Sequence, residues 1–334
     1  MRICYRVDRC GESQGGIAVK TIYKTSEETG NLEVLNEYCD GNWVCLISPT
    51  AEEVRDVSQH FQIELQDMIS ALDEDERARV DADDDYTLVI IDVPYKEEFD
   101  GQDSYGTVPL AIILGDKGQK YIITICLREL PLLDDFQRGK VKKFYTYKKT
   151  RFIIQMLYRN ASYYLQSLRM LERSSGKIEQ ELHKSTRNEE LFQLLSLDKS
   201  LVYLSNSLRA NELVLERLMR LESVKKYPED EELLEDAIVE NKQAIEMANV
   251  YSSILDVTME AYSSVISNNL NSVMKVLTSL TIILTIPTMI FSFFGMNVPL
   301  PWQGNNGVFA IGGLSLTAVG IAVLMMKWKN MLKI

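Results

Sequence analysis

The clearest feature of the hydrophobic pattern is a long uncharged stretch near the end of the chain. Residues 276–326 contain no Asp, Glu, Lys or Arg, although these four residue types make up 25% of the whole sequence. A segment rich in Gly, Pro and Asn, residues 295–307, divides the stretch into two apolar runs, Val276–Phe294 and Val308–Met326. Because about 20 apolar residues in a helix cross the ~30 Å hydrocarbon core of a bilayer, we predict two transmembrane helices. The alternative is a buried helical hairpin in a soluble protein, which does not need so long an uncharged run.

Apolar residues at helical spacing dominate the region before these spans. Leucines recur at alternating steps of three and four, with Asn211 in the one missing position, which predicts a long helix with a coiled-coil seam. The seam consists of Leu194, Leu197, Leu201, Leu204, Leu208, Leu215 and Leu218. The segment Lys225–Pro228 interrupts the pattern, and the acids after it indicate a new helix start. The stepping then continues through Ile245, Ala248, Leu255, Met259, Tyr262 and Ile266.

Nothing interrupts this second pattern before the first apolar run. We therefore expect one continuous helix from Pro228 to Phe294. At ~1.5 Å per residue it would be about 100 Å long, so it would leave the membrane and project far into the cytosol.

The first 145 residues have strand-like patterns instead. Runs rich in branched and aromatic residues alternate with Gly, Asp and Asn. These runs are Ile17–Tyr23, Trp43–Ile47, Tyr86–Val93, Val108–Leu114 and Tyr121–Leu127. Ser48-Pro49-Thr50, followed by Glu52 and Glu53, predicts a helix start with a capping hydroxyl, a proline in the first turn and acids at the positive end of the helix dipole. We expect an α+β domain with a small sheet.

These patterns predict an α+β cytosolic domain, then long stalk helices, then two C-terminal transmembrane helices. The predicted boundaries are 1–145 for the N-terminal domain, 146–275 for the stalk, 276–294 for the first span, 295–307 for the external loop, 308–326 for the second span and 327–334 for a basic tail.

The distribution of charge supports a membrane protein. Residues 275–334 contain four lysines and no acid, so the first 274 residues carry 32 basic and 48 acidic side chains, a net charge of −16. An acidic soluble part argues against nucleic acid as a partner, because phosphates need a basic surface. Lys275 precedes the first span, and Lys327, Lys329 and Lys333 follow the second. Because Lys and Arg beside a span favour the cytosolic side, we expect both termini in the cytosol. The membrane is then expected to be the plasma membrane. The start of the chain lacks the apolar core of a signal peptide, which agrees with that orientation.

Several kinds of chemistry are not expected from this sequence. The five cysteines contain no CxxC pair and the two histidines, His60 and His183, are far apart, so no zinc-type spacing occurs. No GxxxxGK[ST] loop is present, and we therefore expect no nucleotide partner. No Ser/His/Asp or Cys/His arrangement suggests an enzyme, although scattered residues can converge in a fold.

The first span carries a polar stripe. Residues at steps of three and four lie on one face of a helix. They are Asn271, Met274, Thr278, Thr281, Thr285, Thr288 and Ser292, with Leu277 beside them. Hydroxyl groups in hydrocarbon face a partner helix or water, so the stripe favours a wet lumen over a helix–helix interface in which the hydroxyls bond to their own backbone. Two spans cannot enclose a pore, so a lumen requires several copies of the chain.

The stripe ends at Gly295-Met296-Asn297, and here the chain resembles CorA-type magnesium channels. The resemblance consists of this Gly-Met-Asn signature at the end of the first of two C-terminal spans, the junction Asn271–Leu277, and a fainter acidic-then-basic segment at Leu72–Arg79. It implies a funnel-shaped homopentamer in membrane lipid, with the first span lining the pore.

The resemblance also implies a selectivity filter formed by Gly295, Met296 and Asn297. Mg²⁺ gives up water reluctantly, so a ring of Asn297 carboxamides is expected to bind the hydrated ion through its waters. The chain departs from the family pattern at Thr285, where relatives carry a bulky apolar gate residue, and in the external loop, which lacks acids. Closure is then expected to depend on Met274 and Leu277, and Co²⁺ or Ni²⁺ are further candidate ions.

A regulatory Mg²⁺ site is the last expectation from the resemblance. Asp236 aligns with a stalk aspartate that helps to bind Mg²⁺ between subunits in the family. The partner carboxylate follows a strand of the N-terminal domain, where this chain has Lys96 and then Glu97, Glu98 and Asp100 as candidates. The acids around Asp236 equally suit a solvated surface.

Three functions remain in competition at this point. The first is passive Mg²⁺ uptake gated by cytosolic Mg²⁺. The second is a zinc transporter of the same superfamily, against which Met296 argues because those relatives usually replace the Met of the signature. The third is a membrane-anchored coiled-coil scaffold that conducts no ions.

Overall fold

The structure, a computed structural model, describes residues 19–26, 28–83, 85–99, 102–115, 120–182, 188–220, 227–296 and 307–329. The chain divides into two compact units, residues 1–256 and 257–334. The first unit contains the sheet and most of the helices, and the second contains the two apolar helical segments.

A seven-stranded sheet forms the centre of the first unit. Its strands are β1 (Val19–Thr25), β2 (Leu32–Leu35), β3 (Asn42–Ile47), β4 (Arg79–Ala82), β5 (Tyr86–Phe99), β6 (Gln102–Gly115) and β7 (Tyr121–Cys126). The spatial order is β2-β1-β3-β7-β6-β5-β4. The β3–β7 pair is parallel and the other five pairs are antiparallel. The predicted α+β domain is confirmed, but its sheet is larger than expected.

Helices cover both faces of the central strands. One core cluster lies under α1 (Ala51–Phe61) and α2 (Leu65–Ser70), and the other lies under α3 (Pro131–Gln137), α4 (Lys149–Leu182) and later helices. All six residues of β7 are buried, which explains why its sequence is almost continuously apolar rather than alternating.

The predicted start of α1 is confirmed with one correction. The N-cap is Thr50, whose side chain accepts from the Glu53 backbone N–H while the Glu53 carboxylate accepts from the Thr50 backbone, so the two form a capping box. Pro49 therefore precedes the cap instead of occupying the first turn.

The leucine seam lies on α5 (Asn188–Met219), as its spacing predicts, but it packs inside its own domain. All seven leucines are buried, and α5 contacts β5, β6 and α4. Asn211, the polar residue of the seam, is also buried. Its side chain accepts from the Asp92 backbone N–H at 2.9 Å and donates to the Asp92 carbonyl at 2.8 Å. Because β4 pairs with β5 only as far as Ile90, Asn211 satisfies strand groups that have no β4 partner.

The helix after the interruption is α6 (Pro228–Phe294), and it is continuous over 67 residues, as predicted. Arg151 of α4 holds its first turn through Glu229 at 3.1 Å and Asp230 at 3.3 Å. Further along, Asn241 donates to the Leu208 carbonyl at 3.1 Å. These contacts attach the start of α6 to α4 and α5.

The second unit contains the end of α6 and α7 (Gly307–Trp328). Both are long and apolar enough to cross a membrane, and only 6% and 11% of their most apolar windows are buried. Large apolar side chains are open to the surroundings on both helices, including Leu284, Met289, Phe309 and Leu316. A buried hairpin in a soluble core would cover such side chains, so the structure favours two membrane spans.

Candidate ion pathway along helix α6

The predicted pore-lining residues lie on α6 and are uncovered in a single chain. Met274 is 51% exposed and Leu277 is 55% exposed. The polar members of the stripe are exposed as well, namely Asn271, Thr278, Thr281, Thr285, Thr288 and Ser292. Helical periodicity places all eight residues along one side of α6.

Only the side of this segment opposite the stripe is covered, whereas flanking residues such as Leu284 and Met289 are as exposed as the stripe itself. Ser279 is buried, and Ile283, Ile286 and Ile290 are half-buried. On α7, Ser315, Ala322 and Met326 are buried within the same unit. The stripe thus occupies a side of α6 that the two-helix unit leaves open, where a second copy of the chain or a water-filled lumen has room to lie.

Three threonine hydroxyls of the stripe are bonded to the backbone of their own helix. Thr281 donates to Leu277 O at 2.9 Å, Thr285 to Thr281 O at 2.7 Å and Thr288 to Leu284 O at 2.8 Å. This back-bonding is the arrangement expected for hydroxyls at a helix–helix interface. It uses the single donor of each hydroxyl and leaves the oxygen lone pairs available, so the face can accept hydrogen bonds from the waters of a hydrated cation.

The signature begins where α6 ends. The Gly295 N–H donates to Phe291 O at 2.9 Å, and Met296 is 55% exposed. Gly295 does not have a positive φ, so a left-handed turn is not the reason for glycine here. A Cβ at this position would lie 3.2 Å from Phe291 O, which is tight, so close approach of the backbone favours glycine. Asn297 and the external loop lie outside the described residues.

The candidate regulatory acids are distributed over two elements. Asp236 is exposed on α6 and Glu97 is exposed on β5. The predicted strand ended at Val93, but β5 continues to Phe99, so Glu97 and Glu98 belong to the strand instead of following it. Asp100 lies outside the described residues. Within the part of one chain that the structure describes, no group of three or more His, Cys, Asp or Glu could hold a metal ion.

Sequence reasoning missed the ion pair that anchors α6. Arg151 and Asp230 are far apart in sequence, and both side chains are largely covered, at 15% and 8% exposure. Burial raises the pKa of the Asp230 carboxyl despite the nearby Arg151 and Lys148 cations. The sequence signal was limited to the acids after Pro228, which mark a helix start but do not identify the partner.

Comparison with known proteins assigns the family. The family described as CorA-like Mg²⁺ transporter protein matches residues 40–328, which is most of the chain. The chain belongs to this family. The resemblance inferred from the Gly-Met-Asn signature is thereby confirmed, and the family is one of transporters rather than enzymes.

Individual relatives agree with this assignment. The chain is 29% identical over 292 residues to the cobalt/magnesium transport protein CorA of Methanocaldococcus jannaschii, covering 84% of this chain and 88% of that protein. The complete structure of the CorA magnesium transporter from the same organism has a TM-score of 0.79 at 24% identity, covering 94% and 98% of the two chains. The ZntB cytoplasmic domain from Vibrio parahaemolyticus has a TM-score of 0.59 at 11% identity, covering 76% and 100%. Both structures are below 25% identical to this chain, so the likeness to them concerns the fold alone.

Proposed function

We propose that this protein is a passive channel for Mg²⁺, with Co²⁺ and Ni²⁺ as further permeant ions. The observation that carries the proposal is the uncovered polar stripe of α6, which leads directly to Gly295-Met296-Asn297 in a chain of the CorA-like family. A Mg²⁺ and cobalt transport role is named for the relative in M. jannaschii. An inside-negative potential drives a divalent ion inward with about 4.6 kcal/mol per 100 mV, so no nucleotide hydrolysis is needed.

The pore requires several copies of the chain, and we propose a homopentamer in membrane lipid. In the first unit, large apolar side chains of α5 and α6 are uncovered, including Phe192 at 68%, Leu213 at 67% and Val239 at 64% exposure. Packing against further copies of the chain would remove such side chains from water, which is favourable. Their presence supports self-association, with five copies of the stripe around a common lumen.

Selectivity is assigned to the ring of Asn297 carboxamides at the outer end of the stripe. Amide oxygens can accept hydrogen bonds from the waters of hexahydrated Mg²⁺ without a fixed charge that would trap the ion. Gly295 and Met296 position the ring, since α6 ends immediately before them. Zn²⁺, which prefers nitrogen and sulfur ligands, gains little from such a ring.

A second proposed role of Mg²⁺ is regulation from the cytosol. Asp236 is exposed on α6 beside other acids, and a pentamer would bring five such helices together. Mg²⁺ between subunits, held by Asp236 and carboxylates of the Glu97, Glu98 and Asp100 segment, would offset the repulsion and keep the channel closed. Low internal Mg²⁺ would then open it.

The topology follows from the spans and the lysines. We propose a plasma-membrane protein with both termini in the cytosol, a cytosolic part formed by residues 1–145 and 146–275, spans at 276–294 and 308–326, an external loop at 295–307 and a tail at 327–334. The lysines beside the spans support this orientation.

Ion flux into liposomes tests the function against its alternatives. Purified protein should admit Mg²⁺ down its gradient and carry little Zn²⁺ under the same conditions. Greater Zn²⁺ than Mg²⁺ flux would favour the zinc transporter. Absence of flux for both ions, in protein that is correctly assembled, would favour the non-conducting scaffold.

A further inference from the structure

A cavity in the first unit has a basic and aromatic lining that ion transport does not use. Its volume is about 590 Å³, within the usual range for small-molecule sites. The charged residues of its lining are Lys120, Lys148, Lys149, Arg151, Glu229 and Asp230. The four cations exceed the two acids, although the first 274 residues carry a net charge of −16. A basic cavity in so acidic a chain indicates an anionic ligand.

The topology of the sheet builds this cavity. Lys120 directly precedes β7, and Gly41 directly precedes the parallel strand β3, so both lie at the same edge of the sheet. Gly41 N–H donates to Lys120 O at 2.6 Å, and Lys120 N–H donates to the Asp40 carboxylate at 2.6 Å. The Lys149 ammonium donates to Gly115 O at the end of β6. Strand ends therefore fix the backbone of Lys120 and the ammonium group of Lys149.

The segment around the start of α4 supplies three of the four cations in the lining, Lys148, Lys149 and Arg151. Residues 138–151 contain seven Lys or Arg and no acid, interleaved with three aromatic residues. Thr146 fixes the loop before α4, because Thr25 and Thr146 each donate a backbone N–H to the other's hydroxyl at 3.0 Å. Phe144 packs inward, 5.2 Å from Phe152 between ring centroids. Outward residues such as Tyr147 and Lys148 are thus presented on a preorganised loop, which lowers the entropy cost of binding.

The cations of the lining differ in how far they are already paired. Arg151 is committed to Glu229 and Asp230, although its buried Nε has no hydrogen-bond partner in the described part of the chain. Lys120 and Lys148 are exposed and form no ion pair with any described residue. The first backbone N–H groups of α4 lie at the same place, and the positive end of a helix dipole favours a phosphate there.

Two tyrosines make the cavity suitable for more than inorganic phosphate. Tyr147 is 39% exposed and Tyr227 is 55% exposed, and both line the cavity. Exposed aromatic rings can stack on a base. The exposed Glu229 carboxylate can accept hydrogen bonds from hydroxyl groups such as those of ribose.

We propose that this cavity binds a soluble phosphorylated ligand of the nucleotide class, with the phosphates at Lys120 and Lys148 and the base against the tyrosines. The absence of a GxxxxGK[ST] loop excludes one mode of phosphate binding and leaves this one open. The proposal is independent of the ion pathway, because it rests on the first unit alone.

Calorimetric titration of the full-length protein in detergent, with EDTA and without Mg²⁺, tests the proposal. The probes are ADP, pyrophosphate and glycerol phosphate, the last representing a lipid headgroup. ADP should bind more tightly than about 1 mM. The double variant Lys120→Ala with Lys148→Ala should weaken ADP binding about tenfold or more, because two phosphate contacts are lost. Tyr227→Ala should weaken ADP binding but leave pyrophosphate binding unchanged.

The matched control removes the same charge elsewhere. Lys177 and Lys242 are exposed on α4 and α6 and do not line the cavity, so Lys177→Ala with Lys242→Ala should leave the ADP affinity unchanged. If the control variant loses as much ADP affinity as the cavity variant, ADP is held by diffuse electrostatic attraction and the proposed site is wrong. Equal affinity for ADP and either of the other probes would overturn the nucleotide assignment, and failure of ADP to bind wild-type protein would overturn the proposal as a whole.

Discussion

Asp92 illustrates how a single residue joins the sheet to the helices. Its carbonyl accepts from Asn160 and Asn211, each at 2.8 Å, and from the Tyr164 hydroxyl at 3.1 Å. Burial raises the pKa of the Asp92 carboxyl to about 6, while a hydrogen bond with Ser207 acts in the opposite direction. The folded protein therefore binds this proton more tightly than the unfolded chain, whose pKa is about 3.9.

The Asp92 carboxyl should make stability depend on pH. Because folding raises the pKa, the ionised carboxyl destabilises the fold by an amount that is absent below about pH 4, grows between pH 4 and 6, and levels off above about pH 6. Asp92→Asn should therefore stabilise the protein by up to about 2 kcal/mol at pH 7 and by about 1 kcal/mol at pH 5, after allowance for solvent screening. Melting temperatures of the variant and the wild type at both pH values measure the effect. A difference between them that does not grow with pH would contradict it.

Leu277 is the residue at which closure of the pathway can be tested. It is 55% exposed beside the stripe, where a ring of five such side chains would exclude water from a narrow pore. Leu277→Gly should raise basal Mg²⁺ flux. Leu280→Gly is the matched control, because Leu280 is similarly exposed at 53% but lies away from the stripe, and both changes cost the helix about 1 kcal/mol. Equal flux in the two variants would count against a gate at Leu277.

At the scale of elements, local periodicity predicted the helices better than the sheet. The leucine spacing of α5 and the uninterrupted pattern of α6 were sufficient because both depend on neighbours three or four residues apart. The strands β2 and β4 were missed because each is only four residues long at an edge of the sheet and partly polar. The strands β5 and β6 are longer than predicted because their paired ends carry residues such as Lys96 and Glu97, which give no apolar signal.

Contacts between residues far apart along the chain could not be predicted from the sequence. The partners of Asn211 and of Arg151 lie far away along the chain, and the spacing of residue types contains no information about them. Of the candidate site, the exposed stripe was predicted from spacing alone. Asn297 came from the family signature and stays a prediction, as do the regulatory acids.

The attachment of α6 can be tested at Arg151. Arg151→Met would leave the buried carboxylate of Asp230 without its cation, and breaking such a pair usually costs about 3 kcal/mol or more. The melting temperature should fall by roughly 6–12 °C. Arg138→Met is the control, since the Arg138–Asp134 pair is exposed and should contribute little. Adding Asp230→Leu to Arg151→Met should restore much of the lost melting temperature. If Arg151→Met does not lower the melting temperature and the second change does not raise it, the pair does not anchor the helix.

At the scale of the whole molecule, charge separates the chain into two parts. The first 274 residues carry −16, so a pentamer would bring about eighty excess negative charges into one assembly. Screening restricts repulsion to about 8–10 Å at physiological salt, so only acids close to a subunit contact matter. This is the physical reason for expecting bound Mg²⁺ at the level of Asp236.

Protection of the assembled protein against proteolysis tests this regulatory site. Mg²⁺ should protect the wild type, and Asp236→Lys should make protection much less dependent on Mg²⁺, because a fixed cation replaces the bound ion. Glu246→Lys makes the same change of charge at another exposed position of α6 and should behave as the wild type. If Asp236→Lys retains the wild-type dependence on Mg²⁺, Asp236 is not a regulatory ligand.

The most direct test of the account is Mg²⁺ flux through Asn297→Ala in liposomes, beside the wild type. The change removes the carboxamide ring but no apolar packing, so size-exclusion chromatography should show an assembly of unchanged size. The control Asn305→Ala alters another asparagine of the external loop and should conduct as the wild type does. The account predicts that Asn297→Ala abolishes Mg²⁺ flux, and normal flux through that variant would contradict it.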